Sequence, residues 1–134
     1  MMAYIGKSFT RFDVKDKATG EALYPGDYNL PDQVHMKILF ANRPHAIIKS
    51  MDTSEAEAYP GVLAVLTAKD VPVNEYGLII PDQPVLCGPG TSKPYADRVR
   101  FVGDQVALVV AETDEIAEQA RDLIHVAYED LPIV

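Results

Sequence analysis

Two short runs made almost entirely of apolar residues place the strongest limit on how this chain can fold. Residues 62–66 and 105–111 are short and bounded by turn-forming or polar residues, which is typical of strands buried on both faces rather than of helices. After the second run, apolar residues recur at the spacing of one helix face: Ile116, Ala117, Ala120, Leu123 and Ile124. Thr113 is positioned to cap that helix. Buried strands mixed with an amphipathic helix predict an α/β (α+β) domain.

The remaining elements follow from local signals. Strands are predicted at 35–40 and 46–51, joined as a hairpin by a turn at 42–44. Asp52 is predicted to cap a short helix, with Glu55 reaching back and Pro60 ending it. Further strands are predicted at 98–102 and 126–129. The order is therefore β-β-α-β, a long loop, then β-β-α-β.

Two segments are predicted to lack regular structure. Residues 1–30 are dense in turn formers and form an irregular N-terminal arm, which leaves 31–134 as the single domain. Residues 67–97 contain five prolines and three glycines, so a long excursion across the surface is expected there. Irregular segments of this length usually lie against another part of a protein and serve docking or function.

Composition excludes several classes of function. The chain has 134 residues and a net charge of −8, so its surface repels phosphates and neither nucleic acid nor a membrane is an expected partner. It has one cysteine, which excludes within this chain a disulfide framework, a multi-cysteine zinc site and a cysteine-ligated iron–sulfur cluster. The sequence contains neither a secretory signal nor a run of about 20 apolar residues, so a cytoplasmic setting is expected.

The candidate reactive residues are all better explained by structural roles. His35, His45 and His125 lack the close spacing of metal ligands. Cys87 has no neighbouring base to lower the pKa of its thiol. Gly88-Pro89-Gly90 and Gly103-Asp104 lack the features of a phosphate-binding loop. For Asp52 and Asp70, a capping or turn role is favoured over acid–base chemistry. The carboxylates considered are Asp13, Asp27, Asp52, Asp70, Asp104 and Glu112. The sequence therefore predicts no catalytic, cofactor-binding or metal-binding residue.

Four blocks in a fixed order nevertheless carry a family resemblance. The first is Arg11-x-Asp13 with Thr19-Gly20-x-Ala22-x-Tyr24-x-x-Asp27, followed by His45-Ala46-x-Ile48. The second runs from Asp52 through Pro60-Gly61-Val62 to Asp70-Val71-Pro72. The third covers 99–113, and the fourth joins Ala117-x-x-Ala120 to Val126-x-Tyr128-Glu129-x-Leu131-Pro132. Together they resemble the α/β-hammerhead domain at the start of the molybdenum-binding large subunit of xanthine dehydrogenase, aldehyde oxidase, carbon monoxide dehydrogenase and 4-hydroxybenzoyl-CoA reductase.

The resemblance implies a role within a larger oxidoreductase. In this family, molybdopterin and the substrate pocket belong mainly to later domains, and 2Fe-2S and FAD groups lie on partner chains or domains. The chain is therefore expected to be an inactive fragment of a separate molybdenum hydroxylase subunit. Its partners would be the remaining molybdopterin-binding domains and the iron–sulfur and FAD subunits. The parent enzyme would hydroxylate N-heterocycles or aldehydes, or perform a related reduction.

Two other functions compete with this interpretation. The acidic surface is compatible with a free-standing, non-enzymatic module that binds a protein partner, and a native chain that stops soon after Val134 would favour it. A small metal- or thiol-dependent hydrolase is the weakest alternative. Metal analysis and alkylation of Cys87 would reveal such an enzyme.

Overall fold

The structure, a computed structural model, describes residues 5–133. The chain divides into two compact units, 1–33 and 34–134. In the first unit, helix α1 (Val14–Thr19) ends at Gly20, whose φ of 77° lies in the left-handed region, and a 3-10 turn spans Pro25–Asp27. The sequence predicts an irregular arm here and misses α1, because its terminating glycine resembles an ordinary turn signal.

In the described part of the second unit, residues 34–133, six strands form two antiparallel sheets. They are β1 (His35–Phe40), β2 (Ala46–Asp52), β3 (Val62–Thr67), β4 (Arg98–Val99), β5 (Gln105–Ala111) and β6 (His125–Asp130). One sheet has the order β1-β5-β3 and the other β4-β2-β6. The predicted element order is thus confirmed, and the apolar run 105–111 is the central strand of its sheet, with Val106, Val109 and Ala111 fully buried.

The predicted hairpin between the first two strands is wrong. β1 and β2 lie in different sheets, because the chain leaves β1 towards the turn that precedes β5. The N–H of Ala41 donates to the carbonyl of Asp104 at 2.8 Å, and Asn42, with φ of 50°, donates to Val102 at 3.1 Å. The chain therefore does turn at 42–44, as predicted, but the turn connects strands of two different sheets.

Two further strand predictions are corrected. β3 is not buried on both faces: it is an edge strand that pairs only with β5, and Leu63 is 55% exposed. The strand predicted at 98–102 ends at Val99. The carboxylate of Asp104 accepts N–H bonds from Arg100 at 2.6 Å and Phe101 at 3.4 Å, which turns the chain out of the sheet.

Helix α3 (Asp114–Arg121) confirms the predicted amphipathic pattern. The hydroxyl of Thr113 accepts the N–H of Ile116 at 3.2 Å, as expected of an N-cap residue. Ala117 and Ala120 are fully buried on the face that packs against β1 and β5. These small residues allow the helix to approach the sheet closely.

Helix α2 (Ser54–Glu57) differs in detail from its predicted capping box. The N-cap position is Thr53 rather than Asp52, although the Asp52 carboxylate does accept the N–H of Ser54 at 3.0 Å. The Thr53 hydroxyl donates a hydrogen bond to the carboxylate of Glu57. The glutamate that contacts the N-cap residue is therefore Glu57 and not the predicted Glu55.

The loop between β3 and β4 is more than a surface excursion. It begins with a 3-10 turn over Ala68–Asp70 and carries an isolated antiparallel bridge between Tyr76 and Gln83. Leu86 and Cys87, at 1% and 2% exposure, are in the core. Cys87 packs in a cluster with residues of both sheets: Ala41, Ala46, Ile48, Val99 and Val106. The abundance of proline predicts irregular backbone correctly, but it does not predict burial.

The two faces of the β1-β5-β3 sheet have different surroundings. On one face, Leu39, Val65, Ala107 and Val109 pack with a cluster that includes residues of α2 and α3. On the other face, side chains of the three strands form two cross-strand rows. The rows are Met36–Val110–Ala64 and Ile38–Leu108–Leu66, and we call these six residues the outer face.

Candidate functional site

The three histidines do not converge. His35 begins β1 opposite Ala111, whereas His125 begins β6 opposite Asp52 in the other sheet. His45 immediately precedes β2, and its Nδ1 is 2.9 Å from the carbonyl oxygen of Pro132. Among residues 5–133, no group of three or more His, Cys, Asp or Glu side chains is arranged to hold a metal ion.

Cys87 is in surroundings that keep its thiol protonated. Burial raises its pKa to about 12, and the nearby negative charge of Asp104 adds to the shift. The thiol lies 3.8 Å from the carbonyl oxygen of Arg98, and the backbone N–H of Cys87 donates to Gln105 at 2.7 Å. A nucleophilic cysteine needs an accessible thiolate, so this geometry is that of a packing residue.

The glycines after Cys87 serve close packing. A Cβ on Gly88 would lie 2.9 Å from the Cβ of Ala68, so only glycine fits between this loop and the 3-10 turn. The N–H of Gly88 donates to the carbonyl of Ala96 at 2.8 Å and is therefore not free to bind a phosphate. Gly90 adopts a φ of 86° beside the side chain of Lys69.

The candidate carboxylates mostly hold local turns. Asp70 accepts the N–H of Thr67 at 2.7 Å and its hydroxyl at 2.9 Å, and Asp27 accepts the N–H of Tyr24 at 2.8 Å. Asp13 is paired with the arginine and lysine at positions 11 and 17, and hydrogen bonds from these two side chains lower the pKa of its carboxyl. Hydrogen bonds from Ser54 likewise lower the pKa of Asp52.

A cleft of about 460 Å³ lies between β2, β3 and the long loop. Lys69 is part of its wall, and so are the carboxylate-bearing residues Glu57 and Asp70. Lys49 also contributes, but its ammonium group lies 2.7 Å from the carboxylate of Glu129. Opposite charges are thus already mixed or paired around the cleft.

The long loop exposes three successive apolar side chains. Leu78, Ile79 and Ile80 are 102%, 89% and 68% exposed, and we call these three residues the loop tip. The tip lies within the segment closed by the Tyr76–Gln83 bridge. Lys93, whose side chain is only 12% exposed, donates to the carbonyl of Pro81 at 3.1 Å and pairs with Glu75 at 3.3 Å.

Comparison with known proteins identifies the domain. The family profile "Aldehyde oxidase and xanthine dehydrogenase, a/b hammerhead domain" matches residues 19–132. The chain belongs to this hammerhead family. It is 48% identical over 128 residues to a probable xanthine dehydrogenase subunit of Bacillus subtilis (strain 168), covering 95% of this chain and 16% of that protein. It is 37% identical to "Nicotinate dehydrogenase large molybdopterin subunit" of Eubacterium barkeri, covering 95% of this chain and 28% of that protein.

Solved structures confirm the hammerhead fold. CO dehydrogenase from Oligotropha carboxidovorans matches with a TM-score of 0.83 and 34% identity over 96% of this chain and 15% of that one. Quinoline 2-oxidoreductase from Pseudomonas putida 86 matches with a TM-score of 0.79 and 35% identity over 96% and 16% of the two chains. The resemblance stated from the sequence blocks is therefore confirmed, and the hammerhead domain spans about a sixth of such chains.

Neither the cleft between β2, β3 and the long loop nor Cys87 fits a molybdenum–pterin group. A phosphate would meet the carboxylates of Glu57 and Asp70 in the cleft that contains Lys69. The thiol of Cys87, a potential soft metal ligand, is buried and protonated. We therefore assign no residue of this domain to that group and derive no step through it.

Sequence reasoning missed one buried polar anchor of the hammerhead domain. Asn74, at 6% exposure, uses its side-chain amide to hold the backbone of Val85 and Leu86. The only sequence signal is an asparagine within a proline-rich loop, which also describes many exposed turn residues. The outer face had a clearer signal, because the apolar runs of β3 and β5 place apolar residues on both faces of the sheet.

Among the described residues, no helix is long and apolar enough to cross a membrane.

Proposed function

We propose that this hammerhead domain is a non-catalytic supporting part of a molybdenum hydroxylase subunit. Its N-terminal arm and long loop would pack against the molybdopterin-binding domains and flank the substrate entrance. The relatives named for nicotinate, quinoline and xanthine support a parent reaction that hydroxylates a carbon next to nitrogen, with aldehydes as the second substrate class. Molybdopterin would lie elsewhere in the subunit, with 2Fe-2S and FAD on partner chains, in the cytoplasm.

One observation supports the docking role most strongly. In residues 5–33, every described side chain is exposed or only partly buried. Large apolar side chains are nevertheless abundant there, and Ile5 and Phe12 are 98% and 97% exposed. Burying one such side chain contributes roughly 1.5–3 kcal/mol, so a segment of this composition is stable when another surface covers it. The arm therefore has the character of a contact segment.

The loop tip supports the same role. Three successive apolar side chains at 78–80 expose a patch that water solvates poorly. The base of the loop is held by the side chains of Asn74 and Lys93, so much of the entropy cost of ordering it is already met before docking. A loop held in this way is suited to insertion into an apolar recess of a neighbouring domain.

The whole parent subunit, expressed with its partner chains, provides the test. In the double variant Phe12→Ser and Leu78→Ser, one side chain of the arm and one of the loop tip lose their apolar surface. The matched control is Glu21→Ser, an exposed polar position in the arm. Molybdenum and pterin per subunit and the recovery of assembled complex are measured first. Turnover of an N-heterocycle and an aldehyde follows.

We expect the double variant to lose most of its assembled, molybdenum-loaded complex while Glu21→Ser keeps it. Two buried side chains contribute together roughly 3–6 kcal/mol to docking, which is enough to shift a domain contact from mostly closed to mostly open. Equal molybdenum content and turnover in the double variant and in Glu21→Ser would contradict the proposed role.

A further inference from the structure

The outer face of the β1-β5-β3 sheet is a continuous apolar surface. Its two rows contain six apolar residues and no polar one. None of the six is fully buried: Met36 is 54% exposed, Leu66 is 37% exposed, and the other four are partly buried. Alternation along the strands normally places polar residues on a solvated face, so this sheet has the sequence pattern of one covered on both sides.

The opposite face shows how this sheet is covered when it has a partner. Lys37 and Leu39 alternate with Met36 and Ile38 along β1 and face helix α3, where Lys37 pairs with Asp114 at 2.7 Å. On the face that packs against α3, the Lys37–Asp114 ion pair thus lies beside the apolar contact of Leu39. On the outer face, the same strand offers only apolar side chains.

The dimensions of the outer face indicate the size of its occupant. Three strands spaced by roughly 4.8 Å make a face about 10 Å wide. One α-helix with its side chains has a diameter of about 10–12 Å. A single helix therefore covers the face, just as α3 covers the other side.

A second copy of this chain does not fit these observations. A stable interface takes about 800 Å² from each partner, whereas six side chains, four of them already partly buried, expose only a few hundred Å². Two chains with a net charge of −8 each would also repel one another. A tethered partner needs less area, because a contact within one polypeptide avoids most of the entropy cost of association.

We propose that the outer face is the seat of an amphipathic helix from the same polypeptide, supplied by sequence beyond residues 1–134. This inference rests on the proposed function, in which the domain is part of a longer subunit. The matched relatives are consistent with it, since about five sixths of the Bacillus subtilis protein lies outside the region that this chain covers. The occupant presents an apolar stripe to the two rows of the outer face.

Cysteine labelling in the intact parent subunit tests whether the face is covered. Met36→Cys reports on the outer face, and Leu63→Cys is the control, because its parent residue has nearly the same exposure, 55% against 54%. Leu63 is the unpaired residue of the β3 bulge and belongs to neither row. Each site is followed by peptide mass spectrometry, so other cysteines do not interfere, and Cys87 is buried.

We expect maleimide to label Met36→Cys at least about 10-fold more slowly than Leu63→Cys in the assembled enzyme, since a covered site reacts only after local opening. Labelling at equal rates would overturn the inference. Unfolding in urea supplies the internal control, because both sites should then react alike.

A photo-crosslinking residue at position 36 identifies the occupant. A crosslink to a peptide of the same polypeptide beyond residue 134 supports the proposal. A crosslink within residues 1–134, to a second copy or to another subunit overturns it. The outcome is separable from that of the proposed function: a protected Met36→Cys with unaffected double-variant assembly would remove only the supporting role of the arm and loop tip. A freely reactive Met36→Cys with lost double-variant assembly would remove only the helix seat.

Discussion

The side chain of Asn74 pairs with both backbone polar atoms of Leu86. Its Nδ2 donates to the Leu86 carbonyl at 2.9 Å, and its Oδ1 accepts the Leu86 N–H at 2.9 Å. The same oxygen accepts the N–H of Val85, also at 2.9 Å. One buried amide therefore replaces a neighbouring strand for this stretch of backbone and allows Leu86 and Cys87 to enter the core without losing hydrogen bonds.

Replacing Asn74 with alanine is expected to destabilise the chain by roughly 3 kcal/mol, because it leaves buried N–H and carbonyl groups unpaired. Urea unfolding of the 134-residue chain measures the change. Asn29→Ala, at an exposed position of the arm, is the control and should change the free energy of unfolding by less than about 0.5 kcal/mol. Similar losses in the two variants would show that the Asn74 contacts are unimportant.

His45 fastens the chain after β6. Its carbonyl accepts the N–H of Leu131 at 2.9 Å, and its ring Nδ1 bonds the Pro132 carbonyl. His45→Ala removes the ring contact and should cost about 1 kcal/mol of unfolding free energy, whereas His45→Asn, which keeps a donor, should recover part of it. The exposed His125 provides the comparison, and His125→Ala should have a smaller effect. Faster backbone amide exchange at Leu131 in His45→Ala alone would locate the change.

The raised pKa of the Cys87 thiol should make the free energy of unfolding decrease at alkaline pH. Its thiol has a pKa of about 12 in the folded chain, against an ordinary value of 9.0. Because the folded state favours the protonated thiol, this contribution is complete below pH 9 and is lost as the pH rises towards 12. The loss amounts to at most about 1.4 kcal/mol per pH unit.

The Cys87→Ala variant isolates this effect. Lysines and tyrosines also titrate in this range, but they do so in both proteins. We expect the wild-type chain to lose more stability than Cys87→Ala between pH 8.5 and 10.5 in urea titrations, so that the gap between them narrows. A constant gap would mean that the thiol titrates alike in the folded and unfolded chains.

Alanine substitutions at three glycines can distinguish the cost of a positive φ from the cost of steric crowding. Gly61 has a φ of 86°, and an added Cβ would lie 2.7 Å from Cδ1 of Ile116. Gly20 has a φ of 77° with open space around it, and Gly26 has neither a positive φ nor a neighbour within 4 Å. Alanine should cost roughly 1–2 kcal/mol at Gly61, about 1 kcal/mol at Gly20 and nearly nothing at Gly26. Thermal unfolding that ranks Gly26→Ala with Gly61→Ala would contradict this order.

Local patterns predicted the elements but not how they are paired. The spacing of Ala117 and Ala120 identifies α3, and the apolar run 105–111 identifies β5, because each signal lies within a single segment. The partner of β1 is β5 rather than β2, a choice made by contacts far apart in sequence that no local turn signal contains. The apolar run in β3 was wrongly predicted to be buried on both faces for a related reason: its local pattern does not show that β3 lies at the edge of a sheet, where Leu63 and Leu66 are exposed.

The candidate site shows the same division. His45, Cys87 and Asp70 each have structural hydrogen bonds or packing contacts. That this domain supplies no catalytic, cofactor-binding or metal-binding residue stays a prediction. Asn74 could not be singled out, because its importance depends on burial beside Leu86. The exposed apolar side chains of the loop tip were not individually predicted from the sequence, and the assembly experiment with the double variant tests whether another domain covers them.

The pairing of early strands with late ones has a consequence for biosynthesis. His35 is opposite Ala111, and Asp52 is opposite His125, so neither sheet can close until the last third of the domain has emerged from the ribosome. Until β5 is synthesised, β1 and β3 have no partner strand and their apolar side chains stay exposed. A nascent chain in this state is prone to aggregation and is a substrate for chaperones. A pause in translation after the last third of the domain has emerged from the ribosome would favour correct folding more than a pause before it has emerged.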